Sequence, residues 1–155
     1  KLADELEAGG AYAPFEAAYV LADVYLEFGE DEKSAEISER YLEKAIKSNQ
    51  YPWITAFYAK VAIIKIQHGN VSGALSSIRH GREAVETAVF SSLLSFPLDL
   101  HELLIRMQLD DQERINEIIP RIPNVQIAEG FKMAIQMQKN PASIAASVIG
   151  MADEK

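Results

Sequence analysis

Residues 24–35, VYLEFGEDEKSA, form an apolar helical run that stops at Gly29 and restarts among charges, and residues 64–74, IKIQHGNVSGA, repeat the arrangement with Gly69 in place of Gly29. A glycine tolerates the left-handed backbone that ends a helix, so each one marks a turn between two helices. Upstream of Gly29, the residues Phe15, Ala18, Tyr19, Ala22, Tyr25 and Leu26 follow the i, i+3, i+4, i+7 spacing of a single stripe. That spacing predicts a helix over about 13–28. The pattern resumes from Glu32 through Ala35, Ile37, Tyr41, Leu42, Ala45 and Ile46, with acids in the first turn and Lys44 and Lys47 near the end, as the helix dipole favours. The two helices make a hairpin over about 13–49.

A second hairpin follows over about 52–88. Pro52 suits a first helical turn, where its missing N–H costs nothing, and Trp53, Phe57, Val61, Ala62, Ile64 and Ile66 carry the stripe to Gly69. Asn70 is an N-cap candidate for the partner helix, which runs through Ala74, Leu75, Ile78 and Val85 to about Thr87, with Gly81 allowing a close approach. A third hairpin over about 91–122 pairs an apolar helix within Leu93–Leu109, begun at Pro97, with QERINEIIPRI, which Asp110 or Asp111 can cap and Pro120 and Pro123 end. Terminal helices over about 123–152 complete an all-α reading of seven or eight helices in one domain, 1–155. Strand and hairpin-turn signals are missing from the sequence.

The order Leu21-Ala22-x-x-Tyr25-x-x-x-Gly29, returning as Val61-Ala62-x-x-Lys65-x-x-x-Gly69-Asn70-x-x-x-Ala74, resembles the tetratricopeptide repeat (TPR) over about residues 12–88. The period here is 40 residues, against about 34 for that family. The long, degenerate form is similar to the TPR-like arrays of MalT-type signalling regulators. This resemblance implies a right-handed α-solenoid of stacked antiparallel helical hairpins, whose concave face is lined by the first helix of each pair. Carried onto this chain, that register places Glu16, Tyr19, Asp23, Leu26 and Glu27 on the concave face, then Ala56, Ala59, Ile63, Ile66 and Gln67, then Asp99, Leu103, Arg106 and Met107. Such a lining is apolar with an acidic edge. It lacks the lysine and asparagine set of chaperone-tail receptors and instead suits an amphipathic helix whose basic residues meet Asp23 and Glu27. The bland alternative is that Ile63, Ile66 and Leu103 pack the next helix layer.

The chain has 155 residues, no cysteine and a net charge of −8. It is long enough for a single core without disulfides. The negative excess sits in the first fifty residues, which repels phosphate backbones and argues against nucleic acid as a partner. No run approaches the ~18 to 20 apolar residues of a membrane span, and the compartment expected is the cytoplasm. A start at Lys1 suits a segment of a longer protein.

Catalysis needs a base, a nucleophile and an oxyanion donor converging on one point, and no such constellation is visible, nor is a cofactor or metal motif. His68, His80 and His101 fall in separate helices or turns. Asp31-Glu32 and Asp110-Asp111 sit at helix starts, where capping explains them. Arg79 and Arg82 share a helix face and either pair with neighbouring acids or receive a phosphate or acidic peptide. Trp53 is read as a packing anchor, with a ligand-facing aromatic as the alternative. Asn70-Val-Ser72 fits the glycosylation sequon, a pattern short enough to arise by chance. The expected function is a non-catalytic protein-interaction module within a signalling or regulatory protein. Two alternatives stand beside it: a small-ligand sensor coupled to an output domain, and a homo-oligomerisation module in which the apolar stretch ASIAASVIGM forms a dimer surface.

Overall fold

Six α-helices follow one another in a computed structural model that describes residues 13–122 together with Gly130 and Lys132. They are α1 Ala13–Glu27, α2 Asp31–Lys47, α3 Tyr51–Gln67, α4 Val71–Val85, α5 Ser91–Gln108 and α6 Gln112–Ile118, the last running into a 3-10 turn at Ile119–Arg121. The described residues contain no strand. The hairpins predicted over 13–49, 52–88 and 91–122 each contain two of these helices. The terminal helices expected over 123–152 lie outside the described residues, apart from Gly130 and Lys132, which are helical.

The turns explain the repeat. Among the described residues four take left-handed backbone, Gly29 (φ 70°), Asn49 (φ 52°), Gly69 (φ 71°) and Asp110 (φ 54°), and each closes a helix. At every one the following N–H donates to the carbonyl five residues back: Glu30 to Tyr25, Gln50 to Ala45, Asn70 to Lys65 and Asp111 to Arg106, at 2.8 to 3.0 Å. This hydrogen bond satisfies a helix-end carbonyl and starts the next helix at once. The repeating unit is therefore one helix plus its turn, twenty residues long, and the 40-residue period is two of them. The pattern breaks between α4 and α5, where residues 86–90 hold no left-handed residue and expose Val89 and Phe90. Beyond that break the turn residue is Asp110, so the third unit runs one residue longer than the second.

Each helix packs on its successor, and α3 also touches α1 and α5. The period reappears in what is buried. Ala22 and Ala62 are both fully enclosed, as are the pairs Ser34 and Ala74, Ser38 and Ile78, and Ala45 and Val85, all forty residues apart. The small residues among them, Ala22, Ala62, Ser34, Ala74, Ser38 and Ala45, let backbones approach, and Ser34 Oγ donates to the Ala22 carbonyl at 2.8 Å across the first hairpin. Phe15, Tyr41 and Phe57 fill the space between α1, α2 and α3. Trp53 stacks on Phe15 with ring centroids 6.1 Å apart, which makes it a packing anchor. A Cβ on Gly81 would lie 2.9 Å from Leu98 Cδ1 and 3.0 Å from Tyr58 Cβ, so glycine there sets the approach of α4 to α5 and α3.

The start of α5 corrects the sequence reading. The helix begins at Ser91, and Pro97 lies inside it. Proline there removes the bond its N–H would have donated to the Leu93 carbonyl. Leu98, fully buried between α3 and α4, and the Leu103 cluster hold the helix across that defect.

Candidate functional site

Between α3 and α5 lies an open cleft of about 150 Å³. Its α3 wall is Ala62, Ile63, Ile66 and Gln67; its α5 wall is His101, Leu104, Ile105 and Gln108. Leu104 is 48% exposed, and Ile63 and Ile66 are half-buried, so the lining presents apolar surface to solvent.

Of the expected concave residues, Ile63, Ile66 and Gln67 line this cleft. Ala59 and Leu103 do not line it: both are buried, and Leu103 packs against Ile115, Ile118, Ile119 and Ile122. The cause is the extra residue in the third unit. Counting forty from Ile63 gives Leu103, but matching the left-handed residues Gly69 and Asp110 pairs Ile63 with Leu104 and Gln67 with Gln108. Arg106 is likewise turned away, onto Glu102 (3.4 Å) and Asp111 (2.8 Å). Met107 packs on the Leu103 cluster, and Asp99 is buried against Arg82.

On α1, Tyr19 is half-buried with its ring 5.8 Å from that of Phe57. Leu26 is half-buried and Glu27 exposed. Asp23 forms an ion pair with Lys60, whose side chain is only 2% exposed and whose Nζ lies 3.9 Å from the Tyr19 ring centroid. Half of the acidic edge read from the sequence is thus neutralised from within. Lys60 was not singled out in the sequence, although a lysine within YPWITAFYAKVAII is a polar group in a run otherwise suited to burial.

Asn70 caps α4 by accepting from the Gly73 N–H at 2.9 Å, and Asp111 caps α6 through the Arg114 N–H at 3.2 Å. Asp31 does not cap. It meets His68 Nε2 at 2.8 Å, joining the first turn of α2 to the end of α3.

The arginine face of α4 opens on a polar recess of about 330 Å³ between α4, α5 and α6. Its arginines are already engaged. Arg82 pairs with Asp99 and with Glu102 Oε2, each at 2.5 Å; Arg106 and Arg114 both reach Glu102 Oε1 at 3.4 Å; and Arg79 pairs with Glu83 at 3.5 Å. The Arg82 contact with Glu102 Oε2 is an ion pair without hydrogen-bond alignment. Burial alone would push the Glu102 carboxyl up, but Arg82, with Arg114 and Arg106, holds it below the ordinary glutamate range. The recess is an internal ionic clamp joining three helices, which settles Arg82 in favour of neighbouring acids.

Among the described residues no group of three or more His, Asp or Glu could hold a metal ion, and no helix is long and apolar enough to cross a membrane. Comparison with known proteins gives no matching family model, no matching curated protein and no matching solved structure.

Proposed function

We propose that the chain is a TPR-like right-handed α-solenoid segment acting as a non-catalytic protein-interaction module, which holds an amphipathic helix in the groove between α3 and α5. The observation that carries this reading is the cleft between α3 and α5, where Ile63, Ile66 and Leu104 form an accessible apolar strip over the buried Ile105, flanked by the amides of Gln67 and Gln108. A helix laid there buries its own apolar stripe and meets hydrogen-bonding groups at the rim. The solenoid arrangement is supported by the recurrent left-handed turns and by the contacts of α3 with both α1 and α5. A small ligand is less well supported at this cleft, because about 150 Å³ falls below the roughly 300–1,000 Å³ of small-molecule pockets, and in the larger polar recess the arginines are already engaged by acids.

The test is a selection of helical peptides from a random display library against the full chain, with affinities measured by fluorescence anisotropy. Leu104→Arg, on an exposed position, is expected to weaken the selected peptides at least tenfold while leaving the circular dichroism spectrum and urea midpoint unchanged. Selected peptides that bind Leu104→Arg as well as the parent chain would refute the groove.

A further inference from the structure

The outer face of α1 carries apolar groups that the other described residues leave exposed. Val20, Val24 and Phe28, four residues apart, are 55%, 38% and 77% exposed. At 3.6 residues per turn they form one stripe, bordered on one side by half-buried Ala17 and Leu21. On the other side run Glu16, Asp23 and Glu27, of which Glu16 and Glu27 are exposed and Asp23 turns to Lys60. No lysine or arginine occurs in α1, APFEAAYVLADVYLE.

The repeat shows what such a face normally receives. Forty residues on from Ala17, Val20, Leu21 and Val24 stand Phe57, Lys60, Val61 and Ile64 of α3, with exposures of 0, 2, 7 and 6%. That face of α3 is where it meets the preceding hairpin: the Phe57 ring lies against Tyr19 of α1 and Tyr41 of α2, and Lys60 pairs with Asp23. The same face of α1 has no preceding hairpin among the described residues. Pairing two copies antiparallel over this face would set the acidic edge of each beside that of the other, and in either orientation neither helix has a basic residue to meet Glu16 and Glu27.

We propose that the outer face of α1 is a docking surface for a partner's amphipathic helix carrying lysine or arginine along one edge of its apolar stripe. The partner's apolar residues cover Val20, Val24 and Phe28, and its basic edge meets Glu16 and Glu27, as Lys60 of α3 meets Asp23. This surface is separate from the groove between α3 and α5 and does not depend on it.

Two synthetic 18-residue helices test it, identical in a leucine stripe but carrying lysine along one edge in the first and glutamate in the second. Each is titrated into the full isotope-labelled chain and followed by NMR. The lysine peptide is expected to shift the Val20, Leu21 and Val24 methyl signals, to bind at least tenfold tighter than the glutamate peptide, and to lose those shifts in Val20→Glu/Phe28→Ser. Both substitutions are at exposed positions, and circular dichroism confirms that the variant is folded. Binding retained by Leu104→Arg separates this face from the groove. The proposal is overturned if neither peptide shifts α1, if both bind equally, or if the shifts fall on Ile63 and Leu104 instead. It is also overturned if Val20→Glu abolishes a dimer seen by light scattering, which assigns the face to a second copy, or if the free chain shows nuclear Overhauser contacts from residues 1–12 to the Val20 and Val24 methyls.

Discussion

Replacing Asp23 with alanine leaves the Lys60 ammonium, on a side chain 2% exposed, without its counter-ion. Breaking a fully buried pair from one side costs about 3–5 kcal/mol, because the remaining charge stays desolvated. Asp23 is itself 47% exposed, so water screens part of the interaction and the expected cost falls to about 2 kcal/mol. The Tyr19 ring, 3.9 Å from Nζ, still attracts the cation and keeps the loss from rising further. Lys60→Met behaves differently. It keeps an unbranched stem beside Tyr19 and removes the buried charge, while Asp23 hydrates at the surface, so the change stays within about 1 kcal/mol. In urea, where the slope is about 1–3 kcal/mol per molar, Asp23→Ala lowers the midpoint by about 1 M and Lys60→Met by less than half that. The double variant resembles Lys60→Met alone, since Asp23 no longer has a buried charge to answer. Unfolding followed by far-ultraviolet circular dichroism at pH 7 measures all three. Equal losses for the two single variants, or no loss for Asp23→Ala, would refute the reasoning that a desolvated lysine is held in place by this carboxylate.

Further predictions concern the turns, the α4–α5 contact and the ionic clamp. Gly29→Ala and Gly69→Ala each cost about 1 kcal/mol through the left-handed backbone alone, because a Cβ at either site meets no atom within 4 Å; Asp110→Gly gains several tenths of a kcal/mol for the converse reason. Urea midpoints of the three variants check both signs. Gly81→Val drives a branched side chain into Leu98 and Tyr58 and destabilises by about 2–3 kcal/mol, read in the same assay. The depressed carboxyl of Glu102 makes stability pH-dependent in one direction. Its contribution is present above the ordinary glutamate value near pH 4.5 and is lost as pH falls through the lower folded value. Urea midpoints measured from pH 7 to pH 2 should therefore drop more steeply in the parent chain than in Glu102→Gln, which has no proton to take up at that position.

The helices of residues 13–122 were legible because their ends carry chemistry a sequence displays: Gly29 and Gly69 at left-handed positions, Pro52 in a first turn, Asn70 and Asp111 as caps. Asn49 and Asp110 do the same conformational work without a glycine and do not announce it. That omission propagated. With no glycine to anchor the third unit, carrying the repeat register onto it places Leu103 where Leu104 stands and Arg106 on a face that it leaves for Glu102 and Asp111. Pro97 misled in a similar way, since a proline at a helix start and one tolerated inside a helix look alike until the burial of Leu98 and Leu103 is known. The pairings of Lys60 with Asp23 and of Glu102 with Arg82 and Arg114 depend on how separate helices are brought together. Helical spacing alone does not encode them.

The most direct test of the account is a methyl NMR titration of the full chain with the tightest peptide from the display selection. The account predicts that the Ile63, Ile66, Leu104 and Ile105 methyl signals move together and saturate at one stoichiometric equivalent, and that Leu104→Arg abolishes the response. Shifts gathered instead around Arg82, Glu102 and Arg114, with those four methyl groups unmoved, would contradict it and transfer the binding site to the ionic recess.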